Sequence, residues 1–126
     1  MNERLIEGVD HVQLPVPDID KAIQWYTEVL GLELISRHPN RLAWLKFGHG
    51  PILMLHYTSK EARVTWNADD DFPMPAFMFI SQQLDKLRVR LKEAGATIRM
   101  DQDEGFGWVI KFVDPFGNEL GVYQPK

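Results

Sequence analysis

The 126-residue chain contains no cysteine, which excludes disulfide staples, a thiolate nucleophile and thiolate-bound zinc. It lacks a basic surplus. With 14 Lys and Arg against 18 Asp and Glu, the formal charge is −4, and the basic stripe that marks a nucleic-acid binder is missing. Long apolar runs are absent too. Runs such as Pro51 to Leu55 are far too short to span a bilayer, and the charged start MNERLIEGVD does not read as a signal peptide. No glycine-rich phosphate cradle opens a helix, and no Ser/His/Asp spacing marks a nucleophile. The expectation is a cytoplasmic protein without nucleic-acid or membrane partners.

What is present is enough apolar sequence, 44% of residues, to bury the core of one domain over residues 1–126. Alternating apolar residues predict a strand in Val9 to Val16, halted by Pro15 and Pro17. Asp18 is a helix N-cap, and Ala22, Ile23, Tyr26, Val29 and Leu30 share one face of the helix that Gly31 ends. LELISRH, RLAWLKFG and PILMLHY follow as strands. The order then repeats: strand PAFMFIS, a helix from Leu84 to Ala94 ended by Gly95, and strands ATIRM, GWVIKFV and NELGVYQ, the last two joined by the turn Asp114–Pro115–Phe116–Gly117–Asn118. Asp20–Lys21 matches Asp85–Lys86 at an offset of 85 − 20 = 65, and Gly50 matches Gly117 at 117 − 50 = 67. The fold class is therefore α+β. Two tandem βαβββ modules, about 8–58 and about 75–125 with a linker at about 59–74, form a curved mixed sheet around a cup, with the helices outside.

Strand alternation separates two faces. Val12, Leu14, Leu53, Leu55, Phe77, Phe79, Leu120 and Val122 should pack under the helices. His11, Gln13, Ile52, Met54, His56, Ala76, Met78, Ile80, Glu119, Gly121 and Tyr123 fall on the other face. Their mixture of polar, small and soft side chains suits a small-molecule cup, with a dimer interface as the alternative. Trp44, Phe106 and Trp108 join this set as aromatics that could stack on a planar or cationic ligand. Trp25 is read as packing.

Four stretches, VDHVQLPVPDIDKAIQWYTEVLGLEL, PILMLHY, LDKLRVRLKEAGATI and VIKFVDPFGNELGVYQ, resemble the glyoxalase/bleomycin-resistance (vicinal oxygen chelate) superfamily. Its paired modules enclose one cavity, and its metal-dependent members place a ligand in the first and last strand of each module. The resemblance puts those positions at His11, Met54, Ala76 and Gly121. Only His11 is a ligand type, because divalent ions prefer imidazole and carboxylate to thioether, methyl or hydrogen. The chain thereby departs from glyoxalase I, extradiol dioxygenases, fosfomycin-modifying transferases and epimerases. The expectation is a cofactor-free, bleomycin-resistance-type protein that sequesters a small aromatic or cationic molecule, its cup completed as a homodimer. Met54, Ala76, Met78 and Gly121 would widen that cup. The alternative is a lyase or dioxygenase holding one divalent metal ion on a shifted set, His11, His56 and Glu119.

Overall fold

A computed structural model describes residues 3–126. β1 (His11–Val16), α1 (Ile19–Glu28), β2 (Glu33–His38), β3 (Leu42–Lys46) and β4 (Ile52–Tyr57) make the first unit. A two-stranded ribbon, β5 (Trp66–Asn67) with β6 (Pro73–Met74), interrupts the connection. The second unit comprises β7 (Phe79–Ile80), α2 (Leu84–Glu93), β8 (Thr97–Asp103), β9 (Gly107–Val113) and β10 (Glu119–Pro125). The sheets are open, with strand orders β1-β4-β3-β2 and β7-β10-β9-β8. In each, the first strand lies parallel to the last and the other pairings are antiparallel. There are thus two four-stranded sheets where the sequence suggested one continuous curved sheet. Two of the edge strands carry one irregularity each, at Ile35 in β2 and at Arg99 in β8.

The α1 N-terminus forms because Asp18 is extended (φ −154°) and its carboxylate accepts the Lys21 amide at 3.0 Å. Ile19, Ala22 and Tyr26, spaced one turn apart, are its buried stripe. Gly31, at φ +76°, then reverses the chain. α2 lacks a side-chain cap of its own at Gln83. Its first amide, on Leu84, instead donates to Gln124 Oε1 at 2.9 Å, so the end of β10 caps it across space.

One core serves both units. Leu14, Tyr26, Leu45, Leu53 and Leu55 from the first pack with Leu91, Ile110, Phe112 and Leu120 from the second. Each such side chain contributes about 1.5–3 kcal/mol by leaving water. The face assigned to the helices is largely as read: Leu14, Leu53, Leu55, Leu120 and Val122 are buried, and Val12, Phe77 and Phe79 pack partly buried against them. A polar stitch crosses between the units. The Tyr26 hydroxyl donates to Asp114 Oδ2 at 2.6 Å, and Asn118 Nδ2 donates to Asp114 Oδ2 at 2.8 Å and to the Pro15 carbonyl at 3.0 Å. Asn118 Oδ1 accepts the Val64 amide at 2.7 Å. Buried polar groups hold their place only when satisfied, and these are.

The strand expected over Pro75 to Ser81 shortens to Phe79–Ile80, with a bend at Ala76 and Phe77. Pro75 has no N–H to give a ladder, and its carbonyl is taken by the indole of Trp66 at 2.9 Å. The approach to β7 is therefore bound to the ribbon before it can pair.

Candidate functional site

On the side of the first sheet away from the helices, β1 presents His11 and Gln13, β4 presents Met54 and His56, and β3 presents Trp44. The register puts Gln13 opposite Met54 and Met54 opposite Trp44. His11 Nδ1 donates to Asp10 Oδ2 at 2.9 Å, and Gln13 Nε2 donates to His11 Nε2 at 3.0 Å. Together these bonds fit the neutral tautomer protonated at Nδ1 and set the plane of the ring. Trp44 and Met54 are half-buried and Gln13 is exposed. His56 turns aside, its Nδ1 donating to the Tyr57 carbonyl at 2.9 Å.

The corresponding side of the second sheet is covered by the chain itself. Glu119 is 5% exposed and holds Arg99 through both oxygens, at 2.8 and 2.9 Å. Hydrogen bonding from Glu119 raises the affinity of Arg99 for its proton. Its backbone amide donates to the Val64 carbonyl at 2.9 Å. A Cβ on Gly121 would stand 2.5 Å from Met78 Sδ and 3.4 Å from Pro75 Cγ. Met78 lies on Gly121, so the pair occupies space that it was expected to open; a Cβ there would displace the flexible end of Met78. Ala76 is exposed in the bend. Lys111 Nζ sits 3.5 Å from Met74 Sδ and 5.4 Å from the centre of the Phe72 ring. Beyond this cover, Tyr123 packs on Phe106 with ring centres 5.7 Å apart, and its hydroxyl donates to the Phe106 carbonyl at 3.1 Å.

Trp108 lies apart from both groups. It shares a face of β9 with Ile110 and Phe112, toward α2. Its indole donates to Asp101 Oδ1, and the Arg88 guanidinium stands 5.7 Å from its ring centre. The Arg88 hydrogen bond, helped by that indole, holds the Asp101 carboxyl below the usual carboxylate range. A cleft of about 280 Å³ opens beside these residues. A larger one of about 710 Å³ lies between α1, the β3–β4 turn, β7 and α2. Of the twelve candidate site residues, only Trp108 lines either cleft. The face around His11 is a wall, and a wall becomes a pocket only when a second surface stands opposite.

The shifted set His11, His56 and Glu119 is not assembled. Arg99 occupies both oxygens of Glu119, and Tyr57 holds His56. Among the described residues, no three His, Cys, Asp or Glu side chains converge as a metal site would require. The four positions taken from the resemblance do not fit a metal ion within one chain, since Met54 offers a thioether and Ala76 and Gly121 offer no donor. Sequence reasoning missed the partner that occupies Glu119. Its signal was the single arginine, Arg99, within ATIRM, on a strand that pairs beside Glu119's own neighbour β9. It also missed the stitch, since DPFGN was read as a turn alone.

The profile of the Glyoxalase/Bleomycin resistance protein/Dioxygenase superfamily matches residues 8–122. A glutathione transferase FosA of Serratia marcescens is 30% identical over 120 residues, covering 94% of this chain and 82% of that protein. A metallothiol transferase FosB of Shouchella clausii (strain KSM-K16) is 32% identical over 126 residues, covering 94% and 81%. TnmS3, an antibiotic binding protein from Streptomyces sp. CB03234, has a similar structure, with a TM-score of 0.73 at 23% identity, covering 98% of this chain and all of that one. These relatives correct one expectation. Kinship with a metallothiol transferase overturns the reading that the protein works without a cofactor and points to a metal ion. Among the described residues, no helix is long and apolar enough to cross a membrane.

Proposed function

Because the chain belongs to the Glyoxalase/Bleomycin resistance protein/Dioxygenase superfamily, we propose that it binds a small organic molecule of the antibiotic type against the open face of the first sheet. The observation that carries this reading is the oriented imidazole of His11, on one face with Gln13, Trp44 and Met54, whereas on the matching face of the second sheet Glu119 is bound to Arg99 and Met78 lies on Gly121. Trp44 offers a planar or cationic ligand a stacking surface. The two units form one domain in this reading, and a homodimer supplies the missing opposite wall. A cytoplasmic location suits a chain without disulfides.

The transferase relatives favour metal-assisted transfer of a thiol over simple sequestration. Of the four positions taken from the resemblance, His11 is the one that could ligate. Other donors would come from the ligand or from a second subunit. In that role the Asp10 carboxylate would orient the ring through its Nδ1–H, as carboxylate partners of ligating histidines do.

The test is calorimetric titration of Mn²⁺ and of Zn²⁺ into the protein, with and without glutathione and an antibiotic panel, alongside a mass-spectrometric search for thiol adducts. Saturable antibiotic binding that His11→Ala weakens at least tenfold supports the site. Adduct formation dependent on added metal supports transfer. If no compound binds and no adduct forms under any metal, the proposal fails.

A further inference from the structure

We propose that the 710 Å³ cleft between the two units is a second binding site, one that takes a small amphiphile with a carboxylate head. The cleft lies at one of two junctions related by the internal repeat. The helices superpose in sequence at an offset of 65 and the closing strands at 67. The pairing registers agree: Leu14 lies opposite Leu55 in the first sheet, and their counterparts Phe79 and Val122 (14 + 65 and 55 + 67) lie opposite each other in the second.

The polar stitch joins α1 and β1 of the first unit to the β9–β10 turn of the second. Its mate would join α2 and β7 to the β3–β4 turn. In the mate, Tyr26 becomes Leu91, Asp114 becomes Phe47, Asn118 becomes Pro51, and the Pro15 carbonyl becomes that of Ile80. No polar bond can form among those side chains. Where one junction is closed by a network of 2.6–3.0 Å hydrogen bonds, the other has an apolar contact of Phe47 with Phe79, and the cleft opens beside it.

Its walls are of two kinds. Phe47, Phe79, Ile80 and Leu87 are apolar, and the Phe47 and Phe79 rings meet at 5.3 Å. Ile80 is 57% exposed, a cost that an apolar ligand would relieve. The charges are Lys46, Lys86 and Arg90 against Glu33. Lys46 is paired with Glu33 at 3.5 Å, and among the described residues neither Lys86 nor Arg90 forms an ion pair. Two uncommitted cations on an apolar cleft, in a chain of net charge −4, select an anionic head. Arg90 offers a carboxylate a planar fork and Lys86 a point charge. Arg90 Nη1 lies 3.6 Å from where a Gly31 Cβ would stand, which places the guanidinium beside the chain reversal after α1.

The experiment titrates octanoate, with octan-1-ol as its uncharged analogue, into the full chain while amide shifts are followed by NMR. Octanoate is expected to saturate, with the shifts centred on Phe47, Ile80, Leu87 and Arg90. The double variant Lys86→Gln/Arg90→Gln alters only exposed side chains and should bind octanoate at least tenfold more weakly, with octan-1-ol unchanged. His11→Ala, which removes the anchor of the proposed antibiotic site, should leave octanoate binding intact, so the two sites succeed or fail separately. The inference is overturned by absence of saturation, by shifts centred on His11, or by equal weakening of acid and alcohol. It is overturned as well if sedimentation shows a dimer, dissociated by Ile80→Glu, that occupies the cleft.

Discussion

The two halves of this protein share a skeleton and differ in what lies over it. On its outer face the first sheet carries the hydrogen-bonded His11 beside Trp44, while on the second Glu119 is bound to Arg99 and Met78 lies on Gly121. The same strand order thus presents an imidazole on one sheet and a closed ion pair on the other. The stitch follows the same division, with one junction polar and closed and its mate apolar and open.

Asn118→Ala should break that contrast most strongly. It strands the Val64 amide and the Pro15 carbonyl and removes a partner of Asp114, at a cost of about 3–5 kcal/mol in urea unfolding. Pro51→Ala, at the matching position of the open junction, should cost roughly 1 kcal/mol or less. Equal costs would mean that the junctions do not differ energetically. Next comes Tyr26→Phe, expected to cost about 1–2 kcal/mol. Burial, reinforced by the Asp114 charge and hydrogen bond, raises the Tyr26 pKa well above 10.0. A raised native pKa favours the neutral phenol, so its contribution is complete below the ordinary tyrosine range and is lost as pH rises through the native value. The alkaline limb of stability against pH should therefore be steeper in the parent than in Tyr26→Phe.

Trp66→Ala addresses the cover. Loss of its bond to Pro75 should cost about 1 kcal/mol and speed tryptic cleavage after Arg63; an unchanged cleavage rate would show that the indole does not hold the connection down. The smallest effect is expected for His11→Ala, within about 0.5 kcal/mol in unfolding, because its two bonds lie at the surface. A loss above about 1 kcal/mol would recast the His11 face as structural.

Local chemistry made much of the architecture legible. The Asp18 cap, the Ile19–Ala22–Tyr26 stripe and the left-handed glycines at positions 31, 95 and 117 each follow from short-range rules. So does the burial of Leu14, Leu53, Leu55 and Leu120 by strand alternation. What escaped was set by partners distant in the chain. The strand expected at Pro75–Ser81 lost its pairing to an indole nine residues earlier. Glu119 looked like a free carboxylate because its arginine lies 20 positions away. Trp108 was grouped with the cup although alternation with Ile110 and Phe112 already turned it toward α2. Met78 and Gly121 were read as two openings, and they are one contact.

The irregularities in β2 and β8 bear on behaviour at high concentration. Both strands are outer edges of their sheets, and such edges expose rows of unpaired amides and carbonyls that invite another chain to zip on. Ile35, 49% exposed, sits at the kink in β2, and Arg99 sits at the kink in β8. Each kink breaks the even spacing that an incoming strand would have to match. Flanking charges, Glu33 and Arg37 on one side and Asp101 and Asp103 on the other, keep water at the rim. The β2 and β8 edges are thereby guarded against the addition of a further strand, by a device independent of anything the protein binds.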